Sequence, residues 1–342
     1  MNLFLAMKVC LVNANPKVGN KKKNIKKMEK IIEGEEADLY IFGEMFLTGY
    51  ICREEIFSLA ERKDGESINK IQEIAKENGC SIIFGMPLEE REGIVYNAAV
   101  LVQPNSVGIY KKNFLANFGP FEEKFYFTEG RDVPIFKTKH CNIGMCICYD
   151  IFFPELIKAM ALGGADLIAC ISASPTISKD YFEKVLPARA IENTVFMAYC
   201  NLVGEEEGLI FWGGSQIYSP KGELLAKAAY MKEDYVIHEI NIAILKEARL
   251  ARPTLRDTKP DIFLDLYNFA KNKGVFSKDV KLGMKLGEKI KSMEGVEEID
   301  VYGNEDVAFG LKLVVKCDKI NVIPSNEIKV ILKGKEKREI KI

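Results

Sequence analysis

The sequence predicts an α/β fold built on a mixed sheet, followed by a small α+β appendage. Three observations carry this. Apolar strand-like runs alternate with helix-like runs along most of the chain. Two turn signals, Pro104-Asn-Ser106 and Ser219-Pro-Lys-Gly222, each lie between strand-like runs and read as hairpins, so the strands are not all parallel. Beyond about Lys273 the texture changes to one helix-like stretch and several short strand-like ones.

In chain order, Val9–Asn13 reads as a strand and Lys21–Glu33 as an amphipathic helix. Leu39–Phe42 is a short apolar strand that ends at Gly43-Glu44. Ile68–Glu77 has helical spacing, and Cys80–Gly85 is a strand expected to stop at Pro87, which has no N–H for a ladder. Asn97–Val102 and Val107–Tyr110 flank the first hairpin turn. Cys141–Ile147 is a strand leading to Cys148, and Phe153–Leu162 is a helix ended by Gly163-Gly164. Leu167–Ile171 and Val195–Cys200 read as strands on either side of a helix at Lys179–Asn193. Gln216–Tyr218 and Leu224–Lys227 flank the second turn; Val236–Ile240 alternates as a strand, and Ile242–Arg249 is helical. In the appendage, Asp279–Glu294 reads as a helix and Glu298–Tyr302, Phe309–Val315 and Ile328–Leu332 as strands, ahead of a basic tail. The expected division is a main domain over 1–273 and a small domain of unassigned role over 274–342.

Composition narrows the function classes. Of 342 residues, 48% are hydrophobic and 28% charged, ample for a large buried core. A formal net charge of −1 supplies no global field for nucleic acid or an anionic membrane, so neither is expected as a partner. Nine irregularly spaced cysteines, several inside apolar runs, suit reduced thiols in a cytoplasmic protein. No run is long enough to span a bilayer, and Met1–Met7 lacks the basic segment of a signal peptide. Met7 already opens a strand and is an alternative start.

The segment Gly144-Met-Cys-Ile-Cys-Tyr-Asp-Ile-Phe-Phe-Pro-Glu155 is the most informative. A cysteine at a strand-to-helix turn faces unpaired N–H groups, which lower a thiol pKa and can cradle an oxyanion. Cys148 stands where the apolar run breaks; Cys146, two residues earlier on the same strand face, is the alternative nucleophile. The spacing of Cys141, Cys146 and Cys148 does not match a zinc site, and no metal is expected. Only two histidines exist, His140 and His238, so another group is expected to activate the thiol.

Glu44, in Phe42-Gly-Glu-Met-Phe-Leu-Thr-Gly-Tyr50, is either an exposed turn acid or, if buried, a general base with a raised pKa. Lys112 is either one of an exposed basic pair or an ammonium held against a developing oxyanion, with Glu122 or Glu123 to orient it. Ser172 follows a strand, and with Tyr50 and Trp212 it is a candidate to line a substrate pocket; packed aromatics near turns are also ordinary core. Arg189 and Glu192 read as a structural ion pair.

Glu44 in GEMFLTGY, Lys112 in YKKNFL and Cys148 in GMCICYDIFFPE together resemble the nitrilase (carbon–nitrogen hydrolase) superfamily. FEEKFYF at Phe121–Phe127 resembles the loop of that family's second glutamate, which falls on Glu123. ARAIENTVF at Ala188–Phe196 and FWGGSQIYSPKGEL at Phe211–Leu224 resemble its later motifs. The likeness runs in order from about Met7 to Arg252 and does not reach the appendage.

The resemblance implies a four-layer α-β-β-α sandwich, a Glu44–Lys112–Cys148 triad supported by Glu123 and the Tyr149 backbone N–H, and a homodimer or higher homo-oligomer. It implies hydrolysis through a thioester acyl-enzyme, with ammonia released and no cofactor required. The implied substrate is a small linear amide or N-carbamoyl compound. Nitriles are less expected, because Tyr149-Asp150 stands where true nitrilases usually have Trp-Glu. Two alternatives remain: a non-catalytic scaffold on the same fold, and a glutaminase-like subunit that passes ammonia or an acyl group to another acceptor.

Overall fold

Residues 6–271 and the strand segments 298–303, 311–316, 320–323, 329–333 and 337–341 are described by a computed structural model. The chain divides into two compact units, Met1–Asp257 and Thr258–Ile342. In chain order the first unit contains β1 (Ala6–Asn13), β2 (Leu39–Ile41), β3 (Ser81–Arg91), β4 (Ile94–Gln103), β5 (Ser106–Lys111), β6 (Ile135–Lys137) and β7 (Asn142–Ile147). It continues with β8 (Leu167–Ser172), β9 (Phe196–Asn201), β10 (Val203–Glu206), β11 (Leu209–Trp212), β12 (Gln216–Tyr218), β13 (Leu224–Lys227) and β14 (Asp234–Asn241). Two six-stranded sheets result, ordered β14-β1-β2-β3-β4-β5 and β13-β12-β9-β8-β7-β6, with β10 and β11 as a separate hairpin. Both sheets are mixed: β1, β2 and β3 run parallel, as do β7, β8 and β9, and antiparallel strands flank each set.

Alternation along the strands makes the layers. Successive side chains point to opposite faces, so Val9, Leu11, Ile83, Ala99 and Leu101 join the core shared with the second sheet. Their neighbours Cys10, Val12, Phe84, Val100 and Val102 form a second core with Met28, Ile32, Ile68, Ile71 and Ile74 of the helices Lys21–Gly34 and Glu66–Glu77. Ile157 and Met160 of the helix Pro154–Leu162, and Phe182 and Leu186 of the helix Lys179–Asn193, pack with the second sheet. The architecture is therefore an α-β-β-α sandwich. Each Val, Leu, Ile, Phe or Met among these, fully buried, contributes about 1.5–3 kcal/mol relative to exposure. The Cys200 thiol stitches the sheets, reaching Val12 O at 3.3 Å and Ile41 O at 3.0 Å.

Pro87 does not stop its strand. β3 continues to Arg91, and Pro87 pairs with Asn97. Asn97 turns its carbonyl toward the end of β5, where the Lys112 N–H donates to it. The facing Pro87 thus directs its own backbone away from β4, toward an edge that the three-residue β2 no longer covers. There its carbonyl accepts from the Glu61 N–H, and no ladder donor is missed. The short strands β6, β10 and β11 had no distinct sequence signal. The helix Lys179–Asn193 and the strands of the second hairpin lie where the sequence placed them.

The second unit has a helix at Pro260–Lys271, an antiparallel pair Glu298–Gly303 with Leu311–Lys316, and a three-stranded antiparallel sheet of Ile320–Ile323, Lys329–Lys333 and Lys337–Lys341. The expected helix Asp279–Glu294 lies outside the described residues. Among those described, no helix is long and apolar enough to cross a membrane.

Candidate active site

Three strands of the two facing sheets end at one place. Glu44 follows β2, Lys112 follows β5 and Cys148 follows β7. Two of these ends carry backbone in the left-handed region that non-glycine residues rarely adopt: Met45, next to Glu44, at φ 52°, and Cys148 itself at φ 48°. Such strain persists where surrounding contacts over-determine it. At Cys148 the contacts come from Asp150, which accepts from the Ile147 N–H at 3.0 Å, and from Arg189. Arg189 donates through Nε to Ile151 O (2.9 Å) and through Nη2 to Phe152 O (3.3 Å), besides pairing with Glu192 at 3.0 Å. The expected ion pair is thus present, and the same guanidinium also holds the turn after Cys148. At Met45 the close packing rests on Gly85, where a Cβ would lie 2.2 Å from the Met45 nitrogen.

Glu44 and Lys112 are both fully buried. The Lys112 ammonium donates to Glu44 Oε1 at 2.8 Å and to Glu123 Oε1 at 2.6 Å. Glu44 also accepts from Asn97 Nδ2 on Oε1 (2.7 Å) and from the Ala173 N–H on Oε2 (2.8 Å), which ties the first sheet to the end of β8. Glu123 accepts from the Tyr50 hydroxyl on Oε1 (2.7 Å) and from the Ala116 N–H on Oε2 (2.8 Å). Of the two candidate partners for Lys112, Glu123 makes the contact. Burial disfavours the ammonium, but the Glu123 and Glu44 carboxylates outweigh it and hold the Lys112 pKa well above its ordinary value. Burial raises Glu123, with Lys112 opposing. The choice posed by the sequence is settled for position: neither Glu44 nor Lys112 is an exposed surface charge, whereas Lys111 points outward over Tyr96 to Glu90.

Cys148 is buried and opens a short 3₁₀ turn over Cys148–Phe152. The sequence suggested a lowered thiol pKa there, and the structure reverses that sign. Burial and the Glu44 carboxylate push the thiol well up, with only Lys112 and the Ser172 hydroxyl opposing. A one-turn helix adds too little positive potential to offset complete desolvation beside a carboxylate. Cys146 lies deeper, paired in register with Cys170 inside the sheet. The ring of His140 meets Ala6 O and Asp38, and His238 pairs with Val9 on β1, so neither histidine is among the groups acting on the thiol.

Around the cysteine, Ser172 Oγ and the Tyr199 hydroxyl are buried without a hydrogen-bond partner. That holds for well-formed hydrogen bonds; Ser172 Oγ still lies near enough to the Cys148 thiol and to the Tyr199 hydroxyl to lower both pKa values as a weak donor, and Ser174 does the same at Tyr199. Trp212 is packed against Tyr199 at 5.5 Å and donates to Ser174 Oγ at 3.3 Å. An aromatic wall runs from Tyr149 through Phe118 and Phe121 to Tyr50, with centroid steps of 4.9, 5.5 and 6.3 Å. Beside Glu123 opens a small cleft of about 80 Å³ lined by Tyr50, Arg53, Phe121 and Tyr126, among others. Sequence reasoning missed Asn97, Asp150, Tyr199 and the second role of Arg189, whose partners are far away along the chain. Among the described residues no group of three or more His, Cys, Asp or Glu side chains is arranged to hold a metal ion. Chemically, the arrangement puts a protonated thiol, a carboxylate and an ammonium in one buried site.

Comparison with known proteins bears on the family and the fold. The model of the carbon–nitrogen hydrolase family matches residues 8–250. A nitrilase of Pyrococcus abyssi is 35% identical over 253 residues, covering 71% of this chain and 93% of the relative. An N-carbamoylputrescine amidase of Arabidopsis thaliana is 30% identical over 249 residues, covering 66% and 83%. The crystal structure of a carbon–nitrogen hydrolase from Helicobacter pylori superposes with a TM-score of 0.72 at 25% identity, over 77% of this chain and 98% of that one.

Proposed function

The chain belongs to the carbon–nitrogen hydrolase family, and on that premise we propose that it hydrolyses a small linear amide or N-carbamoyl compound through a thioester on Cys148. The observation that carries this reading is the buried Lys112, held between Glu44 and Glu123 beside a buried cysteine whose thiol stays protonated at rest. A protonated thiol needs a base at the moment of attack, and of the two carboxylates that act on it, Glu44 and Glu123, Glu44 acts more strongly.

In this scheme Cys148 Sγ attacks the substrate carbonyl carbon as Glu44 takes the thiol proton. Lys112 and the Tyr149 N–H stabilise the oxyanion. Glu44 returns the proton to the leaving nitrogen, ammonia departs and a thioester remains. Glu44 then draws a proton from water, which attacks the thioester and frees the acid and the thiol. Glu123 acts on Lys112, keeping it charged and aimed. The unpartnered Ser172 and Tyr199 hydroxyls and the wall from Tyr149 to Tyr50 support a substrate with a polar group beside the scissile bond and a slim body.

Release of ammonia and carbon dioxide is the test, measured on a panel of ω-amides, N-carbamoyl amines and amino acids, and a nitrile. Ammonia alone, lost in Cys148→Ala, is the amidase outcome, and equal ammonia and carbon dioxide is the carbamoylase outcome. Turnover that survives Cys148→Ala would overturn the reading.

A further inference from the structure

One buried acid takes no part in these bond-making steps. Asp150 is fully buried two residues after Cys148. Its Oδ2 accepts from the Tyr110 hydroxyl at 2.7 Å and the Ile147 N–H at 3.0 Å; its Oδ1 accepts from the Phe114 N–H at 2.8 Å. Tyr110 and Phe114 stand two residues before and two after Lys112, and Ile147 immediately precedes Cys148. One carboxylate therefore grips both shoulders of the lysine and the shoulder of the cysteine. The Tyr110 hydroxyl, which donates to Asp150, accepts in turn from Asn113 Nδ2 at 2.9 Å.

We infer that Asp150 is a positioning residue that sets the separation of the Lys112 ammonium from Cys148 across the gap between the two sheets. The inference rests on the reading that these two groups act together. All three groups that meet the carboxylate are donors, so both of its oxygens must accept. An amide of the same shape turns an N–H toward one of them, and the link to one segment opens. Placement errors of this size are costly, because the oxyanion donor must meet the transition state with sub-ångström accuracy.

The site also predicts a pH signature. Burial pushes Asp150 up to about 7, against Lys112 and its three hydrogen bonds. The titratable groups facing it are Tyr110 and Lys112 from the β5 side and Cys170 from β8. Below about pH 7 the protonated acid carries a hydrogen where an acceptor is needed, and the link loosens. Because the raised value marks ionisation as the costly state in the fold, acid does not unfold the protein through this group; it lowers kcat.

The experiment uses the full chain as wild type, Asp150→Asn and Tyr110→Phe, with kcat and KM measured from pH 5 to 9 on whichever panel compound the wild type hydrolyses. Asp150→Asn is expected to lower kcat about 100-fold with KM within about threefold, and to abolish the acid limb; Tyr110→Phe is expected to lower kcat about tenfold and keep the limb. An Asp150→Asn enzyme with kcat within threefold of wild type, or with the acid limb intact, overturns the inference. If Asp150→Asn does not fold, Tyr110→Phe decides alone, and an unchanged kcat overturns it. If the wild type hydrolyses no panel compound, alkylation of Cys148 by iodoacetamide, itself an amide, still reads the geometry by mass spectrometry. A rate at least threefold slower in Tyr110→Phe supports the role, and an equal rate overturns it, whatever becomes of the proposed substrate class.

Discussion

Lys112 Nζ lies 2.6 Å from Glu123 Oε1, with the lysine fully buried and the glutamate 3% exposed. Glu44 Oε1 is 2.8 Å away on the lysine's other side, also sealed from solvent. Charges taken out of water are tolerable only while paired, so this cluster is a constraint on the fold as much as a feature of the site.

Lys112→Ala leaves two buried carboxylates facing each other. Removing one partner of a buried pair costs about 3–5 kcal/mol, and the variant is expected to lose that much in urea denaturation. Lys111→Ala, one residue earlier, is expected to cost about 1 kcal/mol or less, because its bridge to Glu90 is partly solvated. Equal losses in the two variants would contradict the buried clamp.

The thiol makes a prediction with a definite sign. Burial and Glu44 hold Cys148 well above the ordinary cysteine range, so the reactive thiolate is scarce at neutral pH and grows with pH. The rate of iodoacetamide alkylation at Cys148 should therefore climb without a plateau from about pH 6 to 9. Glu44→Gln removes the repelling charge and should alkylate faster at a fixed pH, although it hydrolyses substrate far more slowly. A plateau below pH 7 in the wild type would mean a resting thiolate–ammonium pair and would sink this account.

Gly85 carries the third. A Cβ there meets the Met45 nitrogen at 2.2 Å and the Glu44 carbonyl carbon at 2.7 Å, both backbone atoms that cannot swing away. Gly85→Ala should displace the Glu44 turn and reduce kcat by about 100-fold or more, or prevent folding. Gly34→Ala is the control: no atom lies within 4 Å of its added Cβ, and at a helix end it should be neutral or stabilising by up to about 1 kcal/mol. Activity and thermal melts of the two variants decide between local crowding and a general intolerance of change.

These residues show where sequence reading succeeds and where it stops. The α/β alternation was legible because strand and helix periods are local, and Glu44 and Cys148 stood out because each breaks an apolar run at a strand end. Lys111 and Lys112 are nearly indistinguishable as letters, and only the end of β5 sends one outward and one in. Pro87 misled because its backbone faces an edge left open by the brevity of β2, a fact of topology. The thiol's sign misled because a local turn suggests a helix N-terminus, whereas desolvation and Glu44 come from the whole packed site. Asp150 and Asn97 were invisible in role because their partners lie 40 and 53 residues away.

The last prediction concerns two hydroxyls beside Cys148 that make no well-formed hydrogen bond within the fold. Ser172 Oγ and the Tyr199 hydroxyl are buried with no hydrogen-bond partner, and such groups carry a desolvation penalty of about 1–3 kcal/mol until a partner arrives. A polar substrate atom beside Cys148 is the partner proposed here. Removing the hydroxyls should therefore leave stability unchanged or slightly raised, since no well-formed hydrogen bond is broken. It should also weaken productive binding, since a substrate group loses its contact. Ser172→Ala and Tyr199→Phe are expected to keep their melting temperatures and to raise KM about tenfold, roughly the worth of one hydrogen bond in a dry site. If both variants instead melt earlier with KM unchanged, the hydroxyls are structural, and substrate recognition must be sought in the cleft beside Glu123.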